Sequence, residues 1–238
     1  MERNINGLVG WRLIATDGEI GKVDDFYFED DSWTIRYLII NMEEGTPGRQ
    51  VLIAPAALLK DQHAKGAFFV GHTKAQIHNS PDIDTAEPVS RQQEIELYGH
   101  YAWKGYWNSG FYAGGLVAPP GGLPATARRP GADLHLRSAR FVNGFHVHGD
   151  GTEVGYICDL ILDDQTWKIE YLVVDTRPFR GEKKLLVSVL HVLQMRWNDS
   201  EVYLDEKKVA IDKSEVFEPA AFTDLPTPLN ANYDTTKL

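Results

Sequence analysis

Trp33-Thr34-Ile35-Arg36-Tyr37-Leu38-Ile39-Ile40 returns later in the chain as Trp167-Lys168-Ile169-Glu170-Tyr171-Leu172-Val173-Val174. The two stretches stand 134 positions apart, from 33 to 167. At the same offset Gly10 meets Gly144, Glu19 meets Glu153, Gly21 meets Gly155, Asp25 meets Asp159 and Asp30 meets Asp164. Farther on, Leu52 meets Leu186, Lys74 meets Lys208 and Ile77 meets Ile211, with no gap from about residue 8 to residue 80. Chance seldom aligns Gly, Asp, Trp and Tyr together, so the match marks an internal duplication.

Each copy reads as β structure. The repeated stretch is dense in β-branched residues and is expected to form the central strand of its copy. Ile20 to Phe28, and its equivalent Val154 to Leu162, partly alternate apolar and polar residues as a half-buried strand does. Asp17-Gly18 and Asp150-Gly151 precede these strands as turn dipeptides. Gln50 to Ile53 and Lys184 to Val187 supply a fourth strand, Pro55 to Leu59 a single helical turn, and Phe68 to Val70 and Val202 to Leu204 a closing strand. Five or six short strands with turns between them predict an all-β fold of two tandem small barrels.

Between the copies the composition changes. Ser90 to Gln93 opens like a capping box, which predicts a short helix from Arg91 to about Tyr98. An aromatic run follows (Tyr98, Tyr101, Trp103, Tyr106, Trp107, Phe111, Tyr112), and residues 114–131 are rich in Gly, Pro and Ala, as in an extended connection. The expected organisation is a first barrel at 1–87, a linker with its helix at 88–137, a second barrel at 138–219, and a tail at 220–238.

Composition narrows the function. A net charge of −10 repels phosphate backbones and anionic membrane surfaces, so nucleic-acid partners are not expected. Met1 to Gly7 is polar and leads into no apolar h-region, and no apolar run approaches the length of a membrane helix, which predicts a cytoplasmic protein. Cys158 is the one cysteine, which excludes an internal disulfide and a cysteine-based zinc cluster. Its strand context predicts a buried structural thiol. Gly-x-Ser-x-Gly is absent, and no glycine-rich loop opens a helix. Neither a catalytic site nor a cofactor is expected.

The motifs carry a family resemblance. Gly10, Asp17-Gly18-Glu19-Ile20-Gly21-Lys22-Val23-Asp24-Asp25, the Trp33 to Ile40 strand and Val51-Leu52-Ile53-Ala54-Pro55 resemble the PRC-barrel superfamily, named for the cytoplasmic domain of the photosynthetic reaction-centre H subunit. Glu153-Val154-Gly155, Asp159 and Trp167 to Asp175 repeat the pattern, so the resemblance covers both copies. The aromatic linker is similar to that of bacterial proteins with two such barrels. What the resemblance implies is a small barrel used as an assembly module. The chain lacks the H subunit's N-terminal membrane helix and the nucleotide-handling domain of the ribosome-maturation member. The resemblance therefore points to a non-enzymatic protein–protein adaptor, with a partner protein or self-association as a homodimer expected, and with a small-ligand or metal-binding sensor as the alternative.

Three groups of residues are candidates for a site. Asp24, Asp25, Glu29, Asp30 and Asp31, with Glu43 and Glu44 near in sequence, could bind a hard cation, although charged turns are ordinarily solvated. His146 and His148 fall on one face of a strand and are the metal candidates, although an imidazole pair still needs a third, oriented ligand. Trp103, Tyr106 and Trp107 are the interface candidates, as anchors for a partner or as rings packed back onto the barrels.

Overall fold

The duplicated apolar strands assemble into one sheet that runs through both copies. A computed structural model describes residues 1–43, 48–59, 66–81, 91–103, 105, 136–149, 151–177, 183–205 and 215–218. The first half contains β1 (Glu2–Asn4), α1 (Ile5–Leu8), β2 (Arg12–Ala15), β3 (Gly18–Glu29), β4 (Thr34–Met42), β5 (Gln50–Ile53), a 3-10 turn (Pro55–Ala57), β6 (Ala67–Phe69) and α2 (Lys74–His78). After α3 (Arg91–Tyr101) the second half follows, with β7 (Leu136–Ser138), α4 (Ala139–Val142), β8 (His146–Gly149), β9 (Thr152–Asp163) and β10 (Lys168–Asp175). It closes with β11 (Lys184–Ser188), a second 3-10 turn (Val189–His191), β12 (Val192–Arg196), β13 (Glu201–Leu204) and β14 (Glu215–Val216). The fold is all-β in class, as the alternation predicts.

Pairing is antiparallel along β5-β4-β3-β2 and along β11-β10-β9-β8; β6 then joins β2, and β13 joins β8, in parallel. Even the irregularities recur. Register shifts fall between Val23 and Asp25 and between Tyr27 and Phe28 on β3, and between Ile169 and Tyr171 and between Val173 and Val174 on β10. Phe26, Tyr27 and Phe28 are all buried in succession, so this end of β3 is covered on both faces. Gly21 and Gly155 mark a matching close approach. A Cβ on Gly21 would lie 2.2 Å from the Asn41 carbonyl oxygen, and one on Gly155 would lie 2.3 Å from that of Asp175. Only glycine fits there.

Where the halves meet, each lends the other a strand. β1 pairs with β9 of the second half, and β7 pairs with β3 of the first. Behind each lent strand a buried aspartate receives the short helix that follows it. Asp25 accepts from the Ser138 hydroxyl, from Arg140 N at 3.1 Å and from Phe26 N at 2.7 Å. Asp159 accepts from Asn4 Nδ2 at 3.0 Å, Asn6 N at 3.1 Å and Leu160 N at 2.8 Å. Burial pushes both carboxyls up, against the pull of these donors. Outside them Arg3 pairs with Asp164 at 2.6 Å and Arg137 with Asp30 at 3.1 Å. Every one of these contacts has its image at the 134-residue offset.

The central strands also touch. Thr34 of β4 stands opposite Lys168 of β10, Ile35 N donates to Trp167 O at 2.8 Å, and Ile169 N donates to Trp33 O at 2.7 Å. One apolar core runs across this junction, from Ile5 and Leu13 through Phe26 and Tyr37 to Phe145, Leu172 and Leu204. Burying a large apolar side chain is worth about 2 kcal/mol, so neither half keeps its core intact without the other. Leu136 and Arg137, expected in the linker, belong to the lent strand β7. α3 covers the first half through Leu97, Tyr98 and Tyr101, all buried, and Tyr37 donates its hydroxyl to Glu94 at 2.6 Å. Ser90, Asp150, most of the Gly/Pro-rich connection and the tail from 219 onward lie outside the described residues.

The exchange predicts that residues 1–103 and 136–238, made as separate polypeptides, are aggregation-prone or self-associated alone and form a 1:1 complex when mixed. Light scattering on a sizing column checks this, and two monomeric, cooperatively unfolding halves would contradict it. A second expectation concerns acid. Asp175, buried at the end of β10, accepts from Arg177 Nη2 at 2.6 Å and Nε at 3.0 Å, which holds its carboxyl down to about 2. A folded value below the unfolded one of about 3.9 stabilises the protein fully above that value, and the contribution is lost as pH falls to about 2. Asp175→Asn is expected to cost about 1–2 kcal/mol at neutral pH and to flatten the fall of melting temperature between about pH 4 and pH 2. Parallel melting curves for variant and wild type across that window would refute it.

Candidate protein interface

His146 and His148 stand on β8 with the buried Val147 between them, on one face as alternation requires. They do not converge. His146 Nδ1 meets Glu153 Oε1 across the β8–β9 pair. His148 lies 3.6 Å from Glu201 Oε1 on β13 and stacks on Tyr203, ring centroids 4.8 Å apart. Glu201 is already engaged on its other oxygen by the Tyr203 hydroxyl at 2.7 Å, with Arg196 at 3.6 Å. Among the described residues, no three His, Cys, Asp or Glu side chains are grouped to hold a metal ion. The first half explains the arrangement. Arg12 and Glu19, equivalent to His146 and Glu153, form an ion pair at 3.2 Å. The histidine thus takes one place in a cross-strand side-chain contact that both halves keep.

The acidic stretch likewise resolves into individual pairs. Asp24 accepts from Gln50 Nε2 and Arg140, Asp25 caps the start of α4, Glu29 takes Ser32 and Arg36, and Asp30 takes Arg137. Glu43 pairs with Lys22 at 2.7 Å, and Glu44 lies outside the described residues. Their spacing in sequence comes from bulges and turns, so the carboxylates point to different partners. Cys158 is partly buried next to Asp159, and burial pushes its thiol up, which opposes nucleophilic use.

Of the aromatic candidates, Trp103 is described and packs inward. It stacks on Tyr101 at 4.3 Å, meets Tyr98 edge-on at 5.5 Å and lies against the core. Tyr106 and Trp107 lie outside the described residues.

The exposed apolar surface is found elsewhere. β12 ends the sheet and, among the described residues, pairs with β13 alone. Leu190, in the 3-10 turn before it, is 81% exposed, and Leu193 on it is 71% exposed. A register shift at Leu193 bulges the strand. An edge strand offers a row of main-chain donors and acceptors to an extended segment, and proteins ordinarily shield such rows with charge, with proline or with a bulge such as the one at Leu193. β12 carries a single charged residue, Arg196, at its end. At the equivalent place in the first half Leu58 bridges Val70 and Leu59 N donates to the Phe69 carbonyl at 2.8 Å, and the residues that follow, 60–65, lie outside the described ones. Sequence inspection missed this edge because Leu190, Val192 and Leu193 look like core residues, and only pairing order reveals which strand is last.

Residues 147–211, from β8 through β13, match the PRC-barrel domain. The second half carries a PRC-barrel domain. Its match begins on the strand that holds His148 and takes in both the buried Asp159 and the edge strand β12. No curated protein matches the chain. Among the described residues, no helix is long and apolar enough to cross a membrane.

If the histidine merely fills one place in the duplicated cross-strand contact, His146→Arg is expected to change stability by less than about 0.5 kcal/mol. Urea denaturation measures it, and a loss above about 1 kcal/mol would show that the imidazole has a role the arginine cannot fill.

Proposed function

We propose that this is a non-enzymatic, cytoplasmic protein of two tandem PRC-barrels that serves as a protein–protein assembly or adaptor module. The single observation that carries this reading is the exposed edge strand β12 with Leu190 and Leu193 beside it. Its occupant is an extended segment of a partner protein, which adds a strand to β12 through main-chain hydrogen bonds and rests an apolar side chain on the leucines. Two further features support it. The recurrence at the 134-residue offset extends the PRC-barrel pattern to residues 8–80, so the pair forms one rigid platform. The acidic surface argues against nucleic acid as partner. Likeness to the reaction-centre H subunit belongs to the same proposal, as a shared mode of use in which a barrel face meets a larger assembly.

The test is affinity capture from native cell extract with wild-type protein and with the Leu190→Lys/Leu193→Lys variant, paired with light scattering of each. A specific protein retained by wild type and lost, by at least about tenfold, with the variant is the expected result. Retention equal in both would refute β12 as the contact. A wild-type dimer that the variant turns into a monomer would replace the foreign partner with a second copy of this chain.

A further inference from the structure

Trp103 stands where the chain leaves the first half for the connection to the second, and one hydrogen bond holds its indole. Trp103 Nε1–H donates to Nε2 of His72 at 3.3 Å. An imidazole nitrogen can accept only when it bears no proton, so this bond requires neutral His72 with its hydrogen on Nδ1. The rings around it are close. His72 lies 4.8 Å from Tyr101 and 6.0 Å from Trp103, and Tyr101 and Trp103 stack at 4.3 Å with planes 12° apart. Trp103 is held besides by the Tyr101 and Tyr98 rings and by its amide, which donates to the Tyr98 carbonyl at 3.0 Å. His72 is held by its own carbonyl, which accepts from Thr16 N at 3.0 Å, and by α2 behind it, where Thr73 caps the helix and Lys74 N donates to Asp17 Oδ1 at 2.7 Å.

We propose that His72 is a proton-operated latch on Trp103: neutral, it accepts the indole N–H and holds the end of α3 against the first half; protonated, it presents N–H to N–H and lets the tryptophan go. Loss of the contact frees the Trp103 indole at the end of α3. Acid thereby uncovers the Tyr101 face on which Trp103 stacks.

The surrounding charges fit a group that is neutral at rest. On α3, His100 Nε2 bonds the Gln76 carbonyl at 2.7 Å, and Tyr101 has its hydroxyl pushed up to about 12, so it stays neutral throughout. On α2 and its flanks are Lys74, His78 and Arg49, the last bonded to the carbonyls of His78 and Ser80. Asp17 is the nearby carboxylate in the β2–β3 turn, and it is occupied by Lys74 N. Burial first, and His100 second, lower the proton affinity of His72 below the usual histidine range. Such a group favours the closed form above the unfolded value of about 6.5, and the preference is lost as pH falls below it.

Hydrogen exchange of the full chain, followed by mass spectrometry from pH 7.5 to 5 and corrected for intrinsic exchange rates, tests the latch. The amide of Trp103, bonded to the Tyr98 carbonyl at 3.0 Å, reports on it. Its protection is expected to fall by about tenfold in wild type over that range, while core strands β4 and β10 stay protected. His72→Gln supplies a non-titrating acceptor and should abolish the pH dependence; Trp103→Phe keeps the ring, removes the donor and should abolish it too. Protection that is flat in wild type, or that falls equally in His72→Gln, would overturn the proposal.

Discussion

Two main-chain hydrogen bonds, Ile35 N to Trp167 O and Ile169 N to Trp33 O, tie the halves into one molecule. Their geometry is demanding. Trp33 and Trp167 both sit in the left-handed region, at φ 55° and 57°, where a non-glycine residue costs roughly 1–2 kcal/mol. Each tryptophan closes its hairpin by donating to the carbonyl four residues earlier, Glu29 at 2.8 Å and Asp163 at 2.7 Å. The strained turn thereby aims the tryptophan carbonyl at the opposite half. A glycine would adopt that backbone freely but would remove the ring that stacks on Phe28 and the one that packs at a tilt against Phe68. Trp167 reaches across the junction to Phe68, so the same residue supplies the hydrogen bond and the packing.

The contacts that flank this junction are reciprocal: β1 for β7, Asp159 for Asp25, Arg3–Asp164 for Arg137–Asp30. The arrangement is that of a strand-exchanged dimer made within one chain. Buried carboxylates are costly unless supplied with donors, and here the donors come from the other half. Each half is therefore complete only in the presence of its partner, which sets their relative orientation more firmly than a linker could.

The halves differ in side chains within the shared pairing, as where His146 stands in place of Arg12. α3 and its aromatic residues cover the first half, and β12 ends the described sheet in the second. The histidine exchange leaves a cross-strand side-chain contact in place. The proposed roles rest on the edge strand β12 and on the His72–Trp103 contact.

The duplication, the all-β class, the strand pairs around Tyr37 and Tyr171 and the α3 helix were legible in the sequence, because a period of 2 and a fixed repeat need only local comparison. Read the same way, Asp24 to Asp31 offered an acidic cluster that could as well be solvated turns, and His146 with His148 a pair still lacking a third ligand. Bulges at matching places in both halves, and partners 100 or more residues distant, dispersed the first group into separate pairs. The exchange of β1 and β7 left no local mark, since three-residue strands carry almost no pattern. What the sequence by itself determined was two copies of one β unit. Which strand is lent, which edge stays open and which ring rests on which imidazole were decided by the tertiary structure, because each depends on pairings between residues that no local pattern connects.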